Sequence, residues 1–157
     1  MDWRSLFFSF RGRINRGKFW LAVLVFFIVD IVLILAGLVA GDSAVFQALG
    51  ELINVAAFAA GLAVATKRLH DRDKSAWWVA LYYLGPGLFA VVALFIFWVS
   101  AGAVGMALQW SFLLLRLCIL GGIGLAVWGL VELGFRRGST GYNRYGPNPL
   151  RSRRVPA

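Results

Sequence analysis

Between positions 67 and 74 the chain gathers Lys67, Arg68, His70, Asp71, Arg72, Asp73 and Lys74, with almost wholly apolar sequence on either side. A His70–Asp71 pair could relay protons, because histidine titrates near neutrality. It could also begin a metal site. The chain, however, has one histidine and one cysteine, Cys118, and nothing nearby completes a zinc set. There is no helical His-Glu-x-x-His pattern and no serine elbow. No metal and no cofactor are expected, and Cys118 reads as a small buried hydrophobe. Recognition of phosphate asks less of the sequence, since guanidinium groups fork onto phosphate oxygens. Arg13, Arg16, Arg68 and Arg72 are the residues that would do it.

Three more charges, Asp30, Glu51 and Arg116, stand inside long apolar runs. Charge is costly in lipid and usually faces protein or water. Arg116 is expected to bridge to Glu51, with Asp30 within reach, as a buried latch. A proton or solute pathway is the functional alternative.

The elements that must position these groups follow from composition. Of 157 residues, 61% are hydrophobic, against ~45–50% in ordinary soluble domains. A soluble fold of this size leaves too much surface in water to hide that excess. The chain is therefore expected to form one all-α membrane domain. Four stretches have the ~20 apolar residues that a crossing helix needs. They are 19–40, 46–66, 77–100 and 110–133. The break between the last two is placed at "SAGAVGMALQ", where Gly102 and Gly105 loosen the helical pattern. Pro86 lies inside the third stretch and is expected to kink it.

Direction follows from charge. The net charge is +9, and fifteen of the sixteen basic residues fall before the first stretch, between the second and third, or after the fourth. With four crossings those segments share one side, and the positive-inside rule makes that side, with both termini, cytoplasmic. Basic clusters beside apolar runs are not the footprint of a nucleic-acid module, whose basic face sits on a polar exterior. Trp20, Trp77 and Trp78 are placed at the inner interface, Trp98 and Trp110 at the outer one. Within residues 1–18, Trp3, Leu6, Phe7 and Phe10 recur on one helical face, which suits a short amphipathic helix in the headgroup plane. The tail, 134–157, carries turn chemistry, and its last residues, Arg151–Ala157, are expected to be a disordered basic end near anionic lipid.

Three segments, "FRGRINRGKFW" (Phe10–Trp20), "KRLHDRDKSAWW" (Lys67–Trp78) and "GYNRYGPNPL" (Gly141–Leu150), resemble the signature segments of the domain of unknown function 805 family. Those proteins are small bacterial inner-membrane proteins. The resemblance covers essentially the whole chain by order and spacing. It departs at Ala76, where glycine is expected before the tryptophan, and at Asn148, where aspartate is more usual. It implies a location and a class but no activity.

All three segments fall on the same side in this topology. Asp71 and Asp73 are expected to pair there with Arg13, Arg16 or Arg144. The surface available to lipid or a protein partner is assigned to Arg13, Arg16, Arg68, His70, Asp71, Arg72, Trp77, Asn143 and Arg144. The leading expectation is a non-enzymatic inner-membrane protein presenting a basic, aromatic face to anionic headgroups or to a protein partner. A small transporter or channel using Asp30, Glu51 and Arg116 is the alternative. A lipid-modifying enzyme using His70 and Asp71 is the third.

Overall fold

A computed structural model of the chain describes residues 3–41, 43–102 and 104–150. The Arg151–Ala157 end lies outside them. Among the described residues 79% are helical and none forms a strand. Helices α1 (Trp3–Phe8), α2 (Arg16–Ala40), α3 (Ala44–Asp71), α4 (Trp77–Val99) and α5 (Met106–Leu130) follow one another. A 3-10 turn, Ser100–Gly102, follows α4, and a π turn, Val131–Phe135, follows α5. Four of these helices are long and apolar enough to cross a membrane. Two compact units result: Met1–Ser75 with Arg137–Ala157, and Ala76–Arg136.

In the first unit, α2 begins where Asn15 accepts a hydrogen bond from the Lys18 backbone N–H at 2.9 Å. That satisfies one of the donors every helix start leaves over. It ends at Gly41, whose φ of +58° is glycine territory and whose N–H returns to the Gly37 carbonyl. Ser43 then caps α3 through the Phe46 N–H. So short a turn leaves α2 and α3 as neighbouring antiparallel helices. Close packing uses the small residues of α3: Ala60, Gly61, Ala63 and Ala65 are all buried.

The sequence ends the second crossing at Thr66, and apolarity does end there. The helix nonetheless continues to Asp71. Helical hydrogen bonding does not depend on side-chain polarity, and twenty residues already span the hydrocarbon. Lys67–Asp71 thus form a charged last turn beyond the membrane-spanning part. Against this turn lies α1, its Leu6 buried and its Trp3 exposed. Phe10, assigned by sequence to the same helical face, follows the end of α1 and is exposed. Lys67, buried, donates its ammonium protons to the carbonyls of Ser5 and Leu6. A cation at the last carbonyls of a helix suits the negative end of its dipole.

The second unit is a hairpin of α4 and α5 packed through glycine. A Cβ on Gly129 would stand 3.1 Å from the Cβ of Tyr82, and one on Gly122 would stand 3.2 Å from that of Phe89. Absent side chains let the two backbones approach closely. Trp78, Tyr82 and Trp128 make edge and stacked contacts beside this seam, with the Tyr82 and Trp128 rings 5.5 Å apart at 82°. Helix α4 continues through Pro86 to Val99. Helix α5 begins at Met106 rather than at Trp110, because Gly105, at φ +62°, reverses the chain there. Gln109, polar and assigned by sequence to the loop, is helical. Gly129→Val should overpack the seam against Tyr82 and destabilise the hairpin by about 1–3 kcal/mol. Thermal unfolding of the detergent-solubilised protein would record the loss, and an unchanged midpoint would contradict this packing.

Candidate functional site at the basic end of the first unit

Asp71 ends α3 and is 4% exposed. Its Oδ1 accepts from Arg13 Nε at 3.1 Å and Nη2 at 3.0 Å, and its Oδ2 accepts from Arg68 Nη1 at 2.6 Å. The two guanidinium side chains are 1% and 0% exposed. One carboxylate cannot neutralise two cations, and backbone carbonyls take up the surplus. Arg13 Nη1 donates to Gly141 O and Gly146 O at 2.9 and 3.1 Å, and Nη2 donates to Ser139 O at 2.8 Å. Gly141 and Gly146 hold φ values of +90° and +125°, which aim those carbonyls inward at little steric cost.

The tail is fastened to the same turn. The Ser139 N–H donates to the Asp71 carbonyl at 2.7 Å. Asn143 Nδ2 donates to the His70 carbonyl and to Ser139 Oγ, each at 2.9 Å. At Gly138 a Cβ would stand 1.9 Å from Asp71 Oδ2, so no larger residue fits. The His70 ring stacks on Tyr145 with centroids 3.7 Å apart. Its Nδ1 lies 3.3 Å from the Gly12 carbonyl, the geometry of a ring donating from that nitrogen. Burial pushes the His70 pKa below its ordinary value. The Gly12 carbonyl opposes that shift, and Arg144 adds to it. Burial, with Lys18 nearby, pulls Lys67 down to about 8. Burial also lowers Arg68, opposed by the Asp71 charge.

The sequence-assigned residues therefore separate. Arg13, Arg68, His70, Asp71 and Asn143 are internal parts of one knot. Arg13 is committed to Asp71 and three carbonyls, which leaves little of its guanidinium for an outside phosphate. Arg144 lies at the rim, pairing at 3.2 Å with Asp73, both about half exposed. Arg72 caps α3 and is half-buried. Trp77 belongs to the second unit, where it is exposed at the start of α4.

Arg16 faces a cleft of about 480 Å³. The first turn of α2 (Arg16, Gly17), the knot (Arg68, Asp71) and the tail from Arg137 to Thr140 line it, with Asn148, Pro149 and Leu150. Three arginines there face one carboxylate that is already shared. The backbone N–H groups of Arg16 and Gly17 belong to the turn that has no intrahelical acceptors, at the positive end of the helix dipole. Sequence reasoning missed Gly138, Ser139, Arg137 and Tyr145, and also Glu132, buried and paired with Arg136 at 2.9 Å in the second unit. The tail reads as turn chemistry, which says nothing about what the turns grip.

Asp30 and Glu51, expected with Arg116 to form a buried latch, are exposed on α2 and α3. Arg116 is exposed on α5, in the second unit. In lipid each such charge costs about 2.5–3.5 kcal/mol near a helix centre.

Fold and site together define a multi-pass α-helical membrane protein whose basic end is closed by a buried arginine–aspartate knot. The chain belongs to the family described as "Protein of unknown function (DUF805)", which matches residues 7–147. It is 34% identical over 93 residues to the Inner membrane protein YhaH of Escherichia coli K12, a match covering 54% of this chain and 74% of that protein. The protein of that name from Escherichia coli O157:H7 matches to the same extent. No solved structure matches. The chain is accordingly an integral, multi-pass inner-membrane protein.

Two outcomes follow for the knot. Asp71→Ala leaves two buried cations uncompensated and should cost about 3–5 kcal/mol. Asp73→Ala breaks an exposed pair worth about 0–1 kcal/mol. Unfolding midpoints that moved equally for both variants would refute the difference. For His70, the unfolded chain binds the extra proton between the lowered folded pKa and 6.5. Stability therefore rises with pH across that window and is lost on acidification through it. His70→Phe keeps a ring on Tyr145 and should abolish that part of the acid loss, as melting at stepped pH would show.

Proposed function

We propose that the protein is non-catalytic and that its basic end, at the cytoplasmic face, holds the phosphate of an anionic lipid headgroup in the cleft at the start of α2. The observation that carries this is the convergence of Arg16, Arg68 and Arg137 with the first turn of α2 around about 480 Å³. Guanidinium forks and helix-start N–H groups are the two protein features best matched to phosphate oxygens. The cleft opens where a membrane-length helix begins, so its depth is that of headgroups. Leu150 and Pro149 give it an apolar wall suited to the lipid's glycerol side. The basic clusters favour the cytoplasmic side, whose leaflet carries anionic lipid. The engagement of His70 with Tyr145 and Gly12 favours a structural role for it over turnover. Arg144, at the exposed rim of the first unit, and Trp77, exposed on the second, each remain for a protein partner.

The test is native mass spectrometry of the protein from lipid discs of phosphatidylcholine with phosphatidylglycerol. Wild type should retain phosphatidylglycerol. Arg16→Gln with Arg137→Gln should lower retention about tenfold, the effect of ~1.4 kcal/mol, while Arg144→Gln should leave it unchanged. Equal retention by all three proteins would overturn the reading.

A further inference from the structure

Arg16 lines the cleft proposed for lipid phosphate, and Lys18, two residues on and so about 200° round the helix, lines another. This second cleft, of about 260 Å³, also lies within the first unit, and the two share no lining residue. We infer that the cleft between the end of α1 and Lys18 is a separate anion site that takes a phosphate group, from a lipid headgroup or from free phosphate.

The first argument is charge. Arg11, Arg13, Lys18 and Lys67 line the cleft, and among the described residues no carboxylate does. Arg13 is spent on the knot, where Asp71 and three carbonyls take its N–H groups. Lys67 is anchored but not spent. An ammonium has three donors, and the carbonyls of Ser5 and Leu6 engage it on one side. Burial first, and then the charge of Lys18, hold Lys67 down at about 8. Two cations that oppose one another across a cavity are both stabilised by an anion set between them. Arg11, exposed on the loop between α1 and α2, adds a guanidinium fork at the same cleft.

The second argument is level. Lys18 stands in the first turn of one membrane-length helix and Lys67 in the charged last turn of another. Both helices belong to the first unit, so the cleft sits where their hydrocarbon-spanning parts end. Phosphate is the anion of that layer, and charge-assisted bonds from ammonium and guanidinium groups are the ones that hold it strongly.

The experiment uses the full chain in an uncharged maltoside detergent, with lysine labelled with 13C at Cε, and follows Lys18, Lys67 and Lys74 by NMR. Inorganic phosphate and a short-chain phosphatidylglycerol are titrated separately at constant ionic strength. The Lys18 and Lys67 signals should shift to saturation while Lys74, outside the cleft, stays in place. Saturation by inorganic phosphate identifies a free-phosphate site, and saturation by phosphatidylglycerol alone identifies a headgroup site. Arg11→Gln with Lys18→Gln should weaken the affinity read at Lys67 at least tenfold. Arg16→Gln with Arg137→Gln should leave it unchanged, so failure of the first cleft and failure of the second are told apart. No saturable shift with either probe, an equal shift at Lys74, or an affinity indifferent to Arg11 and Lys18 overturns the inference. So does a response lost with Arg16 and Arg137, which would return the anion to the first cleft.

Discussion

The carboxylate of Asp71 lies between the guanidinium groups of Arg13 and Arg68, all three nearly out of contact with water. The arrangement of the basic end depends on this triad. Burying ions is expensive, and a buried pair often gains little over a packed apolar group of equal size. What the triad supplies is position. The carboxylate fixes where Arg13 must reach, and Arg13 in turn fixes the carbonyls of Ser139, Gly141 and Gly146. Three segments far apart in the chain are held at one point, so the first turn of α2 meets the tail at a defined cleft.

The same triad sorts the arginines by role. Arg13 is consumed by internal acceptors. Arg68 braces Asp71 and also forms part of the cleft wall. Arg16 and Arg137 stand on the open side. Net positive charge at the cleft is therefore not an accident of composition. It follows from setting more guanidinium than carboxylate around one buried point, with Arg16 and Arg137 at its edge. Glycine makes this possible, because Gly138 admits the Asp71 oxygen where any side chain would collide.

The crossings were legible because their signal, long apolar runs between basic clusters, is the one the bilayer imposes. The pairing of Asp71 with Arg13 was also legible, because the expected topology put both on one side. Arg68 as the second partner could have been read from its place three residues before Asp71 on a helix, had the helix been carried past Thr66. Ser139 and Gly138 were not legible. Their role lies in backbone groups and in a missing Cβ, and neither leaves a trace in hydropathy. The break before the fourth crossing was read from Gly102 and Gly105, and the backbone at Gly105 sets the turn, with the helix starting at Met106 ahead of the crossing expected from Trp110. The latch of Asp30, Glu51 and Arg116 was inferred from cost and from the matching depths of Glu51 and Arg116, which say that a charge wants a partner but not which surface supplies it.

The first unit is discontinuous: its last part, from Arg137 onward, is made only after α4 and α5. During synthesis Arg13 and Asp71 can meet early, but the carbonyls of Ser139, Gly141 and Gly146 reach them last. The N-terminal hairpin therefore waits, with its cations incompletely satisfied, until the second hairpin has been threaded through the bilayer and the chain has returned to the side it left. Closure of the knot is thus tied to the parity of crossings. A chain that inserted one helix too few would deliver its tail to the wrong side and leave Arg13 without its carbonyls.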